Sequence, residues 1–337
     1  MHRTLKSVLA GLLLAAGLAA PAAAQTIELK LSHFLPPSHG THKDFMEPWA
    51  RALEQKTGGK VKVTIFPAGS TFGNTAKQYD QVKAGVVDIA HGLTGIPRGR
   101  LPRTSIIDLP FLTSNADEAT RALWAIYPKY LKDEYQGLKV LALHAHNGGL
   151  IHSREKPVKE MEDLKGMRVR APSPAIQLML EQLGATPVGM PPTEVYENLQ
   201  KGTLDGTVFP WDPVASFKLQ EVLMHHLDAK SYTTSFYFVM NQAKYDSLPA
   251  DVKQAIDELS GNALVAKFGA WWDAWDKPGL DAAKAKGNTI TALTPDQRAK
   301  WRQALLPVTE KYLKDLEGAG VANAREIYDE IRKHVKQ

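Results

Sequence analysis

The chain of 337 residues contains no cysteine. No disulfide holds it, no thiol is available as nucleophile or metal ligand, and a lipid anchor on a cysteine is excluded. It lacks the short patterns of common catalytic folds: a Gly-x-Ser-x-Gly elbow, a Gly-x-Gly-x-x-Gly turn and a phosphate-binding loop. Neither charge sign is in large excess. Lys and Arg number 41 against 36 Asp and Glu, a net of +5. Arg3 and Lys6 supply two of those charges, which leaves +3 after the N-terminal segment. That is too weak and dispersed for nucleic acid, although it modestly favours anionic small molecules. The histidines are scattered. His39 and His42 are three apart with His33 upstream, His144 and His146 share a strand face, and His225 and His226 are adjacent. A zinc site wants three or four converging ligands, so these pairs point away from a metal centre, and no cofactor is implied.

Long apolar runs are also scarce. Val8 to Ala20 is one, preceded by His2, Arg3 and Lys6 and followed by Pro21 and Ala22-Ala23-Ala24. Spanning a bilayer takes about 20 apolar residues, so this run reads as a secretory signal peptide cleaved near Ala24. Export to the periplasm is the expectation. The 313 residues after Ala24 suffice for two ordinary domains.

What is there is a doubled α/β pattern. Thr26–Ser32, Lys60–Phe66 and Val86–Ala90 read as strands, with helices over Ser38–Thr57 and about Asn74–Ala84. Phe45, Trp49 and Leu53 share one face of the first helix. After a Gly/Pro-rich loop, a helix (about Ala116–Tyr135) and a strand (Leu138–His144) follow. From Ile151 a second series begins, with strands near Met167–Arg170, Thr186–Val188 and Gly206–Phe209, and helices near Pro174–Leu183 and Pro192–Lys201. Gly85 with Asp88 and Gly202 with Asp205 end a helix and enter a strand in the same way, which marks a pseudo-repeat. Both aspartates read as turn residues rather than ligands. Ser235–Met240 is strongly strand-prone. Helices then run over Pro249–Lys286, Thr294–Glu317 and Asn323–Val335. Trp271, Trp272 and Trp275 on the first of these read as packing residues.

Arg170 closes a strand just before the Pro172-Ser173-Pro174 stop and a helix start. A guanidinium there is placed to meet an anion, and its planar fork matches a carboxylate. The plain alternative is a surface arginine in a solvated pair.

Three segments then become recognisable: Leu164-Lys165-Gly166-Met167-Arg168-Val169-Arg170, Leu183-Gly184-Ala185-Thr186-Pro187-Val188, and Glu194 through Gly206. With Phe66-Pro67-Ala68-Gly69 and Gly85-Val86-Val87-Asp88-Ile89, they resemble the substrate-binding proteins of tripartite ATP-independent periplasmic (TRAP) transporters, the dicarboxylate-binding-protein-like family, over essentially the whole chain after the signal peptide. The resemblance implies a type II-like periplasmic-binding fold. Its two α/β lobes are joined by hinge strands near Asn147–Gly149 and Ser235–Tyr237, with a long C-terminal helix across both. One lobe would comprise residues 25–148 and 236–275, the other 149–235 and 276–337. The resemblance further implies a non-enzymatic, monomeric receptor that traps an organic acid, with Arg170 as carboxylate anchor, and delivers it to a membrane permease.

Two departures bear on the ligand. Many relatives carry a second arginine after the strand that leaves the first lobe; here Gly148-Gly149-Leu150-Ile151-His152 has none, and Arg154 comes later. Phe209 stands where relatives often have asparagine, with Trp211 close behind. An apolar or aromatic acid is therefore expected in place of a sugar acid. Sites of open α/β lobes lie beyond the carboxyl ends of strands. That rule adds His33, Phe34, Phe72, Asn74, Thr94, Gly95 and Met190 to Arg170, Phe209 and Trp211, and the crossing strand adds Phe236. The alternatives are a receptor for an ATP-driven importer or sensor, and a periplasmic enzyme.

Overall fold

The computed structural model describes residues 26–336; the signal-peptide reading falls on residues outside that range. In the first lobe, Ile27–His33 (β1), Val61–Phe66 (β2) and Ile89–Leu93 (β3) run parallel in the order β2-β1-β3. Glu47–Lys56 (α1) and Gln78–Lys83 (α2) connect them, and Ala116–Ile126 (α3) leads to Leu138–Ala145 (β4). The second lobe is built from Leu150–Ser153 (β5), Arg168–Ala171 (β6), Thr186–Gly189 (β7), Gly206–Phe209 (β8) and His225–Asp228 (β9). Its helices are Pro174–Gln182 (α4), Val195–Gln200 (α5) and Asp212–Ser216 (α6). Ser235–Asn241 (β10) then returns to the first sheet, antiparallel between β3 and β4. All seven of its residues are buried, as an apolar strand inside a sheet with both faces covered requires. Gln242–Ser247 (α7), Ala250–Glu258 (α8) and Asn262–Ala285 (α9) follow; Thr289–Ala292 (β11) pairs with β9, and Pro295–Gly318 (α10) and Ala324–Lys333 (α11) finish the chain. The second sheet has the order β11-β9-β5-β8-β6-β7.

The chain thus passes between lobes after β4 and after β9, and both long helices bridge them. Leu264, Phe268, Trp272 and Trp275 of α9 pack in the first lobe, while its Leu280 and Ala283 pack with Leu150, Trp211 and Val214 of the second. At Gly279 a Cβ would lie 1.8 Å from the Trp211 carbonyl oxygen, so only glycine lets the helix come this close. In α10, Trp301, Leu305 and Val308 belong to the second lobe and Tyr312, Leu313 and Leu316 to the first.

The pseudo-repeat has a physical basis. Asp88 accepts the Lys30 N–H of β1 at 2.7 Å, and Asp205 accepts the Arg168 N–H of β6 at 2.8 Å. Each carboxylate fixes the strand beside its own turn. Several boundaries differ from the sequence reading. The Val86 N–H bonds back to the Gln81 carbonyl and completes the end of α2, so β3 starts at Ile89 instead of Val86. The long helix expected from Pro249 breaks at Gly261, whose N–H bonds the Leu141 carbonyl at 2.7 Å. Strands β5, β9 and β11, of four residues each, are absent from the sequence reading.

Candidate functional site

Strand β6 carries Arg170 to the inner wall of the cleft between the lobes. Its side chain is 1% exposed. Nε donates to the Met190 carbonyl at 3.2 Å and Nη1 to the Val208 carbonyl at 3.3 Å. The guanidinium lies 4.4 Å over the Phe209 ring. No carboxylate among the described residues pairs with it. Burial pulls its pKa down to about 10, so it stays charged at neutral pH.

Phe209 ends β8, the strand beside β6, so stacking on Arg170 follows from the parallel register of the two. The cavity in front of them is small. About 40 Å³ of it has room for water centres, or three to four waters at about 10–15 Å³ each. Phe34, Leu35 and Leu93 of the first lobe, Phe236 of β10 and Trp272 of α9 meet Phe209, Pro210, Pro213 and Phe217 of the second. The walls are almost wholly apolar. His146, Tyr232 and Thr234 come from the two connections between lobes. Burial brings the His146 pKa down to about 4, and the nearby Arg170 pushes in the same direction, so this imidazole is neutral. The Tyr232 hydroxyl and the Thr234 hydroxyl are buried without a described partner.

The lobes also touch directly. His39, in the loop after β1, faces Asp212 at the start of α6, and both side chains are buried. Asp212 is positioned from behind: its N–H donates to Asp276 of α9 at 2.8 Å, and Asn147 donates to the same carboxylate at 3.0 Å. Burial lifts the Asp276 pKa to about 7.

Of the residues selected from sequence, Arg170, Phe209, Phe34 and Phe236 line this cavity. Met190 contributes its carbonyl to Arg170. Gly95 lies at the lobe contact, where a Cβ would sit 2.7 Å from Ser173 Cβ. Thr94 bonds the Ser235 hydroxyl at 2.6 Å. The others are elsewhere. His33 bonds His42 at 2.8 Å behind the sheet edge, and Phe72 packs on Phe66 at 4.9 Å. Asn74 caps its own turn through the Ala76 N–H. Trp211 turns away, towards His152 and His226. Arg154 sits beside Gly202 and Glu155, outside the cavity lining. Tyr232, Thr234 and His146 were not selected, because the strand-end rule ignores connections between lobes; His39 and Asp212 lie further along the loops after β1 and β8 than the positions it names. Trp272 serves both as packing residue and as cavity wall. No group of three or more metal-ligating side chains converges among the described residues, and no described helix is long and apolar enough to cross a membrane.

Substituting Gly95→Ala forces Ser173 and Gly95 apart when the lobes shut. The expected result is at least about fivefold weaker ligand binding, since closing the lobes then costs about 1 kcal/mol or more, with an unchanged melting temperature of the ligand-free protein. Calorimetric titration together with scanning calorimetry checks both.

Two α/β lobes, two crossing connections, bridging helices and a small apolar cavity with one buried cation define a two-lobed solute-binding protein. The comparisons agree. Residues 31–315 match the family model described as bacterial extracellular solute-binding protein, family 7 (DctP), and the chain belongs to that family. It is similar to a TRAP solute-binding protein from Rhodoferax ferrireducens T118 solved with copurified benzoate: 33% identity, TM-score 0.88, covering 92% of this chain and 97% of that one. A marine metagenome TRAP solute-binding protein, specific for aromatic acids and solved with 3-hydroxybenzoate, shows 36% identity and a TM-score of 0.86 over 93% of this chain and 100% of that one. The outer membrane transporter protein TsaT of Comamonas testosteroni is 30% identical, with 92% of each chain covered. This chain is accordingly a substrate-binding protein of the TRAP class, with a small organic acid and a membrane permease as its partners.

Proposed function

We propose that the lobes close on an aromatic or otherwise apolar monocarboxylate, and that Arg170 takes its carboxylate. One observation carries the reading: a guanidinium 1% exposed, unpaired by any described acid, at the wall of an apolar cavity. An uncompensated buried charge costs several kcal/mol, and a ligand carboxylate offsets this through two parallel charge-assisted hydrogen bonds. The same walls disfavour a sugar acid, whose hydroxyls would be desolvated against Phe34, Phe236 and Trp272 without partners. The solved relatives that hold benzoate and 3-hydroxybenzoate support this choice. The protein works in the periplasm after removal of a signal peptide near Ala24, and the ligand leaves unchanged, with no turnover.

A thermal-shift and calorimetric series tests the reading, using benzoate and hydroxybenzoates against succinate and glucuronate. A ligand at 100 times its dissociation constant adds about 2.7 kcal/mol. Benzoate or a hydroxybenzoate is expected to give such a stabilisation. Tight binding of succinate or glucuronate with none of the aromatic acids sinks it.

A further inference from the structure

Besides Arg170, the described cavity lining includes one acid. Asp212 is 5% exposed and lines the space from the first turn of α6. Its Oδ2 faces His39 Nε2 and accepts from the Ser216 hydroxyl at 3.2 Å. No described group donates a hydrogen bond to its Oδ1, and this oxygen is not among the buried polar atoms sealed from free space. The donor follows from the other nitrogen of His39. Nδ1 accepts the Thr41 N–H at 3.0 Å, so Nε2 is the nitrogen that donates to Asp212, and the carboxylate is the acceptor of that contact. The two charges stand on different elements of the wall, Arg170 on β6 and Asp212 at the start of α6.

We infer that Asp212, clamped by His39 from the opposite lobe, reads the end of the ligand remote from its carboxylate. It accepts a hydrogen bond from a ring hydroxyl there and refuses a second carboxylate. This rests on the aromatic monocarboxylate reading above. A phenolic O–H meets Oδ1 as a charge-assisted donor. A second carboxylate meets a like charge in a dry, low-dielectric space, where repulsion is strongest. Because His39 and Asp212 belong to different lobes, the reader is complete only when the cleft is shut. A ligand satisfying Asp212 also leaves the latch undisturbed, so selection and closure coincide.

Calorimetry on the full-length mature protein, wild type and Asp212→Asn, tests this with benzoate, 3- and 4-hydroxybenzoate, and the benzene-1,3- and 1,4-dicarboxylates. In wild type, one hydroxybenzoate is expected to bind about tenfold or more tighter than benzoate, the effect of one charge-assisted hydrogen bond. Both dicarboxylates should bind at least about tenfold more weakly than benzoate. Asp212→Asn, nearly isosteric, should shrink both ratios, whatever loss of benzoate affinity the altered His39 contact brings to all the acids alike. Benzoate binding with a dicarboxylate equally tight overturns the inference in wild type alone, whether or not the variant folds. Unchanged ratios in a folded variant overturn it too. Failure of the underlying reading looks different: neither benzoate nor any hydroxybenzoate binds, and that outcome removes both.

Discussion

Arg170→Met is expected to weaken binding of the aromatic acid by about 30-fold or more, the equivalent of the ~2–5 kcal/mol lost when one partner of a buried charge pair is removed. The ligand-free protein should keep its melting temperature or gain slightly. The reason is an asymmetry between the two states. Without ligand, the guanidinium is buried with two backbone carbonyls as hydrogen-bond acceptors and no described counter-charge. Methionine fills a similar length of apolar stem. It orphans two neutral carbonyls, at about 1–3 kcal/mol each, and removes a desolvated charge that costs several kcal/mol. With ligand, the same change leaves a carboxylate facing Phe209 and Tyr232 with no cation. Arg170→Lys should fall between, because it keeps the charge and loses the fork. Calorimetric titration and thermal unfolding, each with and without benzoate, separate the two effects. Undiminished affinity in Arg170→Met refutes the anchor; a large loss of stability in the ligand-free variant would mark the residue as structural.

Below about pH 6 the protein should lose stability steeply, with no more than about four protons taken up on unfolding near pH 5. Six buried histidines set this. Burial lowers His33 to about 3 and His146 and His226 to about 4, and holds His91, His144 and His152 well below the usual range. Each stays neutral when folded and becomes charged at about pH 6.5 when unfolded. A lowered folded pKa means stability that is present above 6.5 and lost as pH falls towards 4. Four carboxyls oppose this: burial pushes Glu134 and Asp228 up, and two others further. Burial raises Asp108 and Asp276 to about 7, so the folded state binds their protons more tightly than the unfolded chain, and stability rises as pH falls from 7 towards 4. Six losses against the two largest gains leave at most four protons. At about 1.4 kcal/mol per proton per pH unit, that is roughly 5 kcal/mol per unit at most. Against total stabilities of about 5–15 kcal/mol, the slope is large enough to unfold the protein within two to three units. Urea midpoints between pH 4 and 8 measure it. A flat profile between pH 6.5 and 4.5 would refute the histidine account.

The opposing carboxyls give the prediction internal structure. Asp108 accepts the Ser235 N–H at 3.0 Å and its hydroxyl at 2.9 Å through Oδ1, while Oδ2 has no described partner. Asp108→Asn should therefore raise stability at pH 8 relative to wild type, and the gain should vanish as pH falls through 7 towards 4.

Much of this molecule was legible in its residues because the relevant signals are local. Gly85 and Gly202 end helices in the left-handed region with φ of 73° and 71°, and Asp88 and Asp205 follow each at the same offset. That doubled punctuation made the two α/β series visible. Arg170 was legible for a similar reason: a strand end before a proline-marked helix start places a side chain at the carboxyl edge of a sheet, whatever lies opposite. Phe34 and Phe209 followed from the same rule, and Phe236 from the crossing strand.

What the chain alone left open depends on distance in sequence. Phe72, Asn74 and His33 also follow strand ends, yet their side chains turn to their own lobe. The rule names positions, and packing decides directions. Trp211 is two residues from Phe209, but α9 presses Gly279 onto its backbone, and its ring goes to His152 and His226. His39 and Asp212 are 173 positions apart in the chain, and Tyr232 reaches the cavity from a connection with no regular structure. The sequence by itself determined the two α/β series, the family and the strand-end position of Arg170, because composition, periodicity and short motifs act within a few residues. Only the tertiary structure decided which rings face that cation and which carboxylate lines the same cavity, because those surfaces meet only once the two lobes have closed on each other.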